Sequence, residues 1–120
     1  MTELQSALDN AVLDALRESV GDDSEFVAEL IDTFVADAPG QLESLRGSSA
    51  SGDAAGARRA AHTLKGNGLT FGARELASLC QQAESAAGAG NLEAVLAQVD
   101  GIDREWRRVQ AELLAVRDAR

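Results

Sequence analysis

Five stretches of this chain set apolar residues three or four positions apart, and none sustains the two-residue alternation of a half-buried strand. Such a chain removes its apolar surface from water only as amphipathic helices. The last stretch is the clearest. Leu92, Val95, Val99, Ile102, Trp106, Val109, Leu113 and Val116 form one stripe. With Asn91 as cap, they predict a helix over 92–117, the longest expected, about 39 Å at 1.5 Å per residue.

The other helices follow from the same spacing and from their stop signals. Ser24 is predicted to cap a helix over 24–50 whose stripe is Val27, Leu30, Ile31, Phe34 and Ala38. Pro39 opposes continuation, because a mid-helix proline loses a hydrogen bond and clashes with the preceding turn. The stripe nevertheless resumes in phase at Leu42 and Leu45, so one helix bent at residue 39 is expected. Asp53 begins a helix over 53–70 with Ala57, Ala61, Leu64, Gly68 and Phe71 inward, and Gly72 ends it. Ala73, Leu76, Cys80, Ala83 and Ala87 line a helix over 73–87 that stops at Gly88-Ala89-Gly90. Ahead of these, Asp9 caps a short segment, 9–20, carrying Val12, Leu13 and Leu16 and broken by Gly21-Asp22-Asp23. A start near Thr2 is the alternative. Short loops make consecutive helices antiparallel neighbours. The expected fold is all-α: an antiparallel four-helix bundle, with an additional short N-terminal helix across one end, forming a single domain over 1–120.

Composition narrows what such a bundle can do. The chain has one Cys and one His, too few for an internal disulfide or a zinc cluster. Eleven Lys and Arg stand against 20 Asp and Glu, a net charge of −9, and a surface of that sign repels phosphate backbones, so nucleic acid is not an expected partner. No apolar run approaches the roughly 20 residues that span a bilayer, and no basic and apolar leader opens the chain. A cytoplasmic monomer that neither enters nor crosses a membrane is expected.

The lone His62 points roughly 140° to 180° away from the inner stripe of its helix, at about 100° per residue. It therefore faces solvent. Arg58 lies one turn before it, and Lys65 and Gly66 lie three and four residues after it on the same surface. Four of the 11 basic residues, Arg58, Arg59, Lys65 and Arg74, fall between positions 58 and 74 of an otherwise acidic chain. Gly66 costs about 1 kcal/mol relative to Ala inside a helix, a sacrifice that close approach of another surface explains. An exposed imidazole with a cation beside it and a bare patch of helix is suited to carrying a phosphoryl group. A neutral ring nitrogen is nucleophilic, provided an acceptor holds the other nitrogen. Lys65 can neutralise phosphoryl oxygens as a point charge.

The run His62-Thr63-Leu64-Lys65-Gly66, followed by Phe71-Gly72-Ala73, Leu76, Leu79-Cys80 and Glu84, resembles the signature of histidine-containing phosphotransfer (HPt) domains. The match in order and spacing extends over about 23 residues, and Asp9 to Asp23 and Phe26 to Leu45 are similar to the family's first two helices. The resemblance implies a phosphorelay intermediate of two-component signalling. His62 would accept a phosphoryl group from, and return it to, the aspartate of a response-regulator receiver domain, or receive it from a sensor histidine kinase. It further implies that Lys65 and Gly66 fill the family's electrostatic and access positions and that Glu84 hydrogen-bonds the imidazole from the next helix. The protein would be a phosphocarrier, not an enzyme with an ATP site. It would hold no cofactor, the Mg²⁺ residing on the receiver.

The tract Asn67-Gly68-Leu69-Thr70 departs from the small Ser and Ala residues more usual there. Gly68, on the buried stripe, is expected to bring the third and fourth helices closer together. Leu69 lies within about 20° of His62 in projection, as part of an apolar docking surface with the early helices or in a half-buried packing role. Cys80 and Trp106 are expected in the core, and Asp22 and Asp23 in a turn. Two other functions fit less of the sequence: a helical interaction module without phosphoryl chemistry, and the phosphoacceptor domain of a chemotaxis-type kinase.

Overall fold

The computed structural model describes residues 6–119. Among these the chain is all-helical: α1 (Asn10–Ser19), α2 (Ser24–Ser51), α3 (Ala54–Thr70), α4 (Arg74–Gly88) and α5 (Leu92–Asp118). Side chains explain most of the starts. Asp9, Asp53 and Asn91 accept from the backbone N–H groups of Ala11, Gly56 and Ala94, each satisfying one donor that a helix start leaves without a partner.

Two expectations are corrected. Asp23, not Ser24, caps α2: its carboxylate accepts from Phe26 N at 3.1 Å, and Ser24 becomes the first helical residue. The longest helix is α2, at 28 residues against 27 for α5, because it runs unbroken through Pro39 to Ser51. A mid-helix proline costs about 3 kcal/mol. Burial on both sides of it offsets that. Val27, Ile31, Phe34 and Ala38 before Pro39, and Leu45 after it, enter the same core, and each of these side chains larger than alanine contributes about 1.5–3 kcal/mol.

The four long helices touch in a closed ring, α2 on α3, α3 on α4, α4 on α5 and α5 on α2, with the α3–α4 contact the most extensive. Ile31, Leu45, Leu64, Leu76, Ile102 and Leu113 fill the centre, fully buried. Phe34 ties three helices together. Its ring stacks on Phe71 at 5.3 Å and meets Trp106 at 4.8 Å, in the offset and tilted geometries aromatic pairs prefer.

At one end the chain is pinned by polar contacts. Gly72 follows α3 with φ +76°, and a Cβ there would sit 2.9 Å from Asp9 O and 3.0 Å from Val12 Cβ, so no larger residue fits. The carbonyl of Gly72 accepts from Asp9 N at 2.9 Å, which docks the start of α1 against the α3–α4 turn. Residues 6–9, just before α1, are not helical. Ala7 and Leu8 are buried, and their backbone N–H groups, with the Ser6 hydroxyl, donate to the Glu112 carboxylate on α5. The alternative start near Thr2 falls partly on residues 1–5, outside the described residues, but residues 6–9 separate any such turn from α1. Among the described residues no helix is long and apolar enough to cross a membrane.

Candidate functional site

One strip of the α3–α4 contact carries three facing pairs. Lys65 Nζ donates to Gln81 Oε1 at 2.8 Å, His62 Nδ1 lies 2.9 Å from Glu84 Oε2, and Arg58 extends its aliphatic stem to Gly88. Helical periodicity explains the strip. Positions 58, 62 and 65 lie one turn apart on α3, as 81, 84 and 88 do on α4. The stripe of Ala57, Ala61, Leu64 and Gly68, buried on the inner side, leaves these residues at the outer edge.

The His62 side chain is 66% exposed and Glu84 only 14%. A carboxylate can only accept, so the ring donates its Nδ1–H and turns Nε2, with its lone pair in the neutral form, toward solvent. Lys65 Nζ lies 2.7 Å from the second oxygen of Glu84. This hydrogen-bonded ammonium, aided by His62, holds the Glu84 carboxyl below the usual carboxylate range despite its burial. The acceptor for His62 thus stays ionised. Gln81 is fixed in turn: its amide nitrogen donates to Ser85 Oγ at 3.1 Å while its oxygen receives Lys65.

Lys65 is therefore only 21% exposed and bound to two side chains of α4, rather than standing free beside the ring. Gly66 is exposed, and a Cβ on it would meet nothing within 4 Å. No neighbour inside the molecule requires glycine there. Gly68 is buried, yet a Cβ would lie 3.5 Å from Ala73 O and 3.7 Å from Ala77 N, ordinary contact distances. Gly68 thus packs against the start of α4, at a spacing that a methyl group would also fit. Leu69 is 54% exposed, a large apolar side chain at the surface one turn beyond Lys65. Cys80 is buried beneath the site, and that burial, with Glu84 nearby, pushes its thiol up to about 12. It is an apolar filler. Among the described residues no three His, Cys, Asp or Glu side chains gather as a metal site.

Sequence reasoning missed Gln81, and it counted Arg59 among the clustered bases without giving it a place in the site. Gln81 was legible in principle, three residues before Glu84 on the same helical face. Arg59 lines, with Ala55, Arg58, His62 and Glu84, a cleft of about 340 Å³ open beside the ring.

Among the described residues the fold is all-helical and presents one exposed imidazole, held by a half-buried carboxylate of the next helix. The family model described as "Hpt domain" matches residues 29–119, and the chain belongs to that family. It is a phosphorelay intermediate of two-component signalling, a family whose members meet response-regulator receivers and kinases. The crystal structure of histidine-containing phosphotransfer protein B (HptB) from Pseudomonas aeruginosa PAO1 is similar at a TM-score of 0.87 and 33% identity, covering 98% of this chain and 99% of that one. No curated protein matches the sequence.

Proposed function

We propose that His62 is the phosphoacceptor, through Nε2, and that the protein shuttles the phosphoryl group to and from receiver-domain aspartates. The observation that carries this is the 2.9 Å contact from Nδ1 to an ionised, half-buried Glu84, which leaves the opposite nitrogen exposed. The Nε2 lone pair attacks the phosphorus of an aspartyl phosphate. The N–P bond forms as the P–O bond breaks, and the aspartate leaves as a carboxylate with that electron pair. The ring now carries the positive charge, which faces Glu84 across Nδ1–H. The reverse sequence delivers the group to a second aspartate.

The remaining assignments rest on this role. Glu84 and Lys65 are positioning residues, Lys65 by holding Glu84 ionised. Gly66 leaves room for a docking receiver, and Leu69 and Arg58 border that approach. The four long helices form an antiparallel bundle, supported by the facing pairs Arg58–Gly88, His62–Glu84 and Lys65–Gln81, which ascend α3 as they descend α4. The chain acts as a single-domain, monomeric carrier in the cytoplasm, without an ATP site. Receivers and a sensor kinase are its partners, nucleic acid and membrane are not, and any Mg²⁺ belongs to the receiver.

The test is transfer from a phosphorylated receiver domain. The wild-type protein is expected to take up acid-labile label and His62→Gln none. Equal labelling of both would sink the phosphoacceptor role. A helical interaction module without phosphoryl chemistry would give no label on either, while partner binding survived His62→Gln.

A further inference from the structure

Seven of the ten bases among the described residues are engaged by carboxylates of this acidic chain, and Arg58, Arg59 and, on α5 away from the site, Arg104 are not. Arg17 pairs with Asp14, Arg46 with Asp100, Arg74 with Asp9, Arg107 with Asp103, Arg108 with Glu105, Arg117 with Asp32, and Lys65 with Glu84. Of the four bases clustered around the site, Lys65 and Arg74 are thus engaged. Arg58 and Arg59 are exposed and have no carboxylate within ion-pair reach among the described residues. In a molecule of net charge −9, two adjacent guanidinium groups without a counter-ion keep an anion-attracting spot where acidic side chains outnumber basic ones almost twofold.

Helix geometry sets that spot against the reactive nitrogen. Side chains on an α-helix lean toward its N-terminus, over the residues three and four positions earlier. For His62 those are Arg59 and Arg58, whereas Lys65 and Gly66 lie on the turn behind the ring. The open cleft of about 340 Å³ agrees: His62, Arg58, Arg59, Ala55 and Glu84 line it, and Lys65 does not. Ala55 is small, and Gly88 bears no side chain opposite Arg58, whose Cδ lies 3.9 Å from where a Cβ would stand. Both leave the guanidinium groups room to swing onto a tetrahedral anion.

We infer that Arg58 and Arg59 form the subsite that holds the phosphoryl oxygens on phosphorylated His62, and that Lys65 does not contact them. Guanidinium is suited to this, since its planar fork donates two parallel N–H bonds to a phosphoryl group. The division of labour is electrostatic. Lys65 keeps Glu84 charged for Nδ1 on the α4 side, and the arginines meet the dianion on the solvent side. This inference rests on His62 as phosphoacceptor.

The experiment is a ³¹P NMR titration of the isolated phosphoprotein, charged with phosphoramidate or from a phosphorylated receiver that is then removed. Bound guanidinium favours the dianion, so it lowers the phosphoryl group's second ionisation. Arg58→Gln and Arg59→Gln are each expected to raise that midpoint by about 0.5 pH unit, the double variant by more, and Lys65→Gln to leave it in place. Both arginines are exposed and Gln is a good helix former, so the fold is retained. A midpoint moved by Lys65→Gln and not by the arginine variants would overturn the inference while leaving His62 as the acceptor. Label retained by His62→Gln would overturn both.

Discussion

Glu84 holds two donors on one carboxylate, the His62 Nδ1–H on Oε2 and the Lys65 ammonium on Oε1. Its lowered pKa, caused first by Lys65 and opposed by burial, makes this a stability statement. The sign follows from the depression. The arrangement stabilises the fold above the ordinary glutamate pKa of about 4.3 and is lost as pH falls through the lower folded value. Denaturant midpoints of wild type and Glu84→Gln are therefore expected to differ near neutrality and to converge from about pH 5 downward. The same substitution removes the charge facing the phosphorylated ring. It is expected to slow transfer from a phosphorylated receiver about 10-fold, the lower end of what partners orienting a functional histidine supply. Unchanged transfer would show that Glu84 orients nothing.

On α3, two glycines two residues apart separate local from intermolecular demands. Gly66 is exposed with open space above it, and Gly68 is buried with ordinary clearance. Alanine at either is expected to stabilise the protein by about 0.5–1 kcal/mol, because glycine loses more backbone freedom in a helix. Only Gly66→Ala is expected to slow transfer to a receiver, since its methyl group projects at the surface beside His62. Thermal melts check the first expectation, and the ratio of transfer rates checks the second. Slowing by Gly68→Ala equal to that by Gly66→Ala would mean that helix rigidity, not access, sets the rate. In α2 the balance runs the other way: Pro39 violates a local rule, and the apolar stripe on both sides of it keeps one helix.

Across the whole molecule, charge is arranged by pairing rather than by excess. Net −9 coexists with a basic strip because the acids elsewhere neutralise the bases beside them. Glu112 does the reverse at the bundle's end, where it receives the N-terminal arm. Burial raises its pKa, but the Ser6 hydroxyl and the N–H groups of Ala7 and Leu8 outweigh that and lower it overall. Its contribution is accordingly present above the ordinary glutamate range and lost in acid. Glu112→Ala is expected to destabilise the fold by about 1–3 kcal/mol at neutral pH, the penalty for unpaired buried donors, with a smaller difference in acid. Hydrogen exchange at Ala7 and Leu8 would report the released arm. The sequence alone determined the helices, their inner faces and the outward direction of His62, because apolar period and caps are local properties of the chain. Spacing also set Lys65 on the same surface as His62, and the family resemblance added Glu84. Only the tertiary structure decided that Lys65 sits on Glu84 and Gln81 rather than beside the reactive nitrogen. It also decided that Arg58 and Arg59 have no carboxylate partner among the described residues and that a glutamate 50 residues beyond His62 anchors the arm. Each of these depends on which helix packs against which, and therefore on distances between residues far apart in the chain.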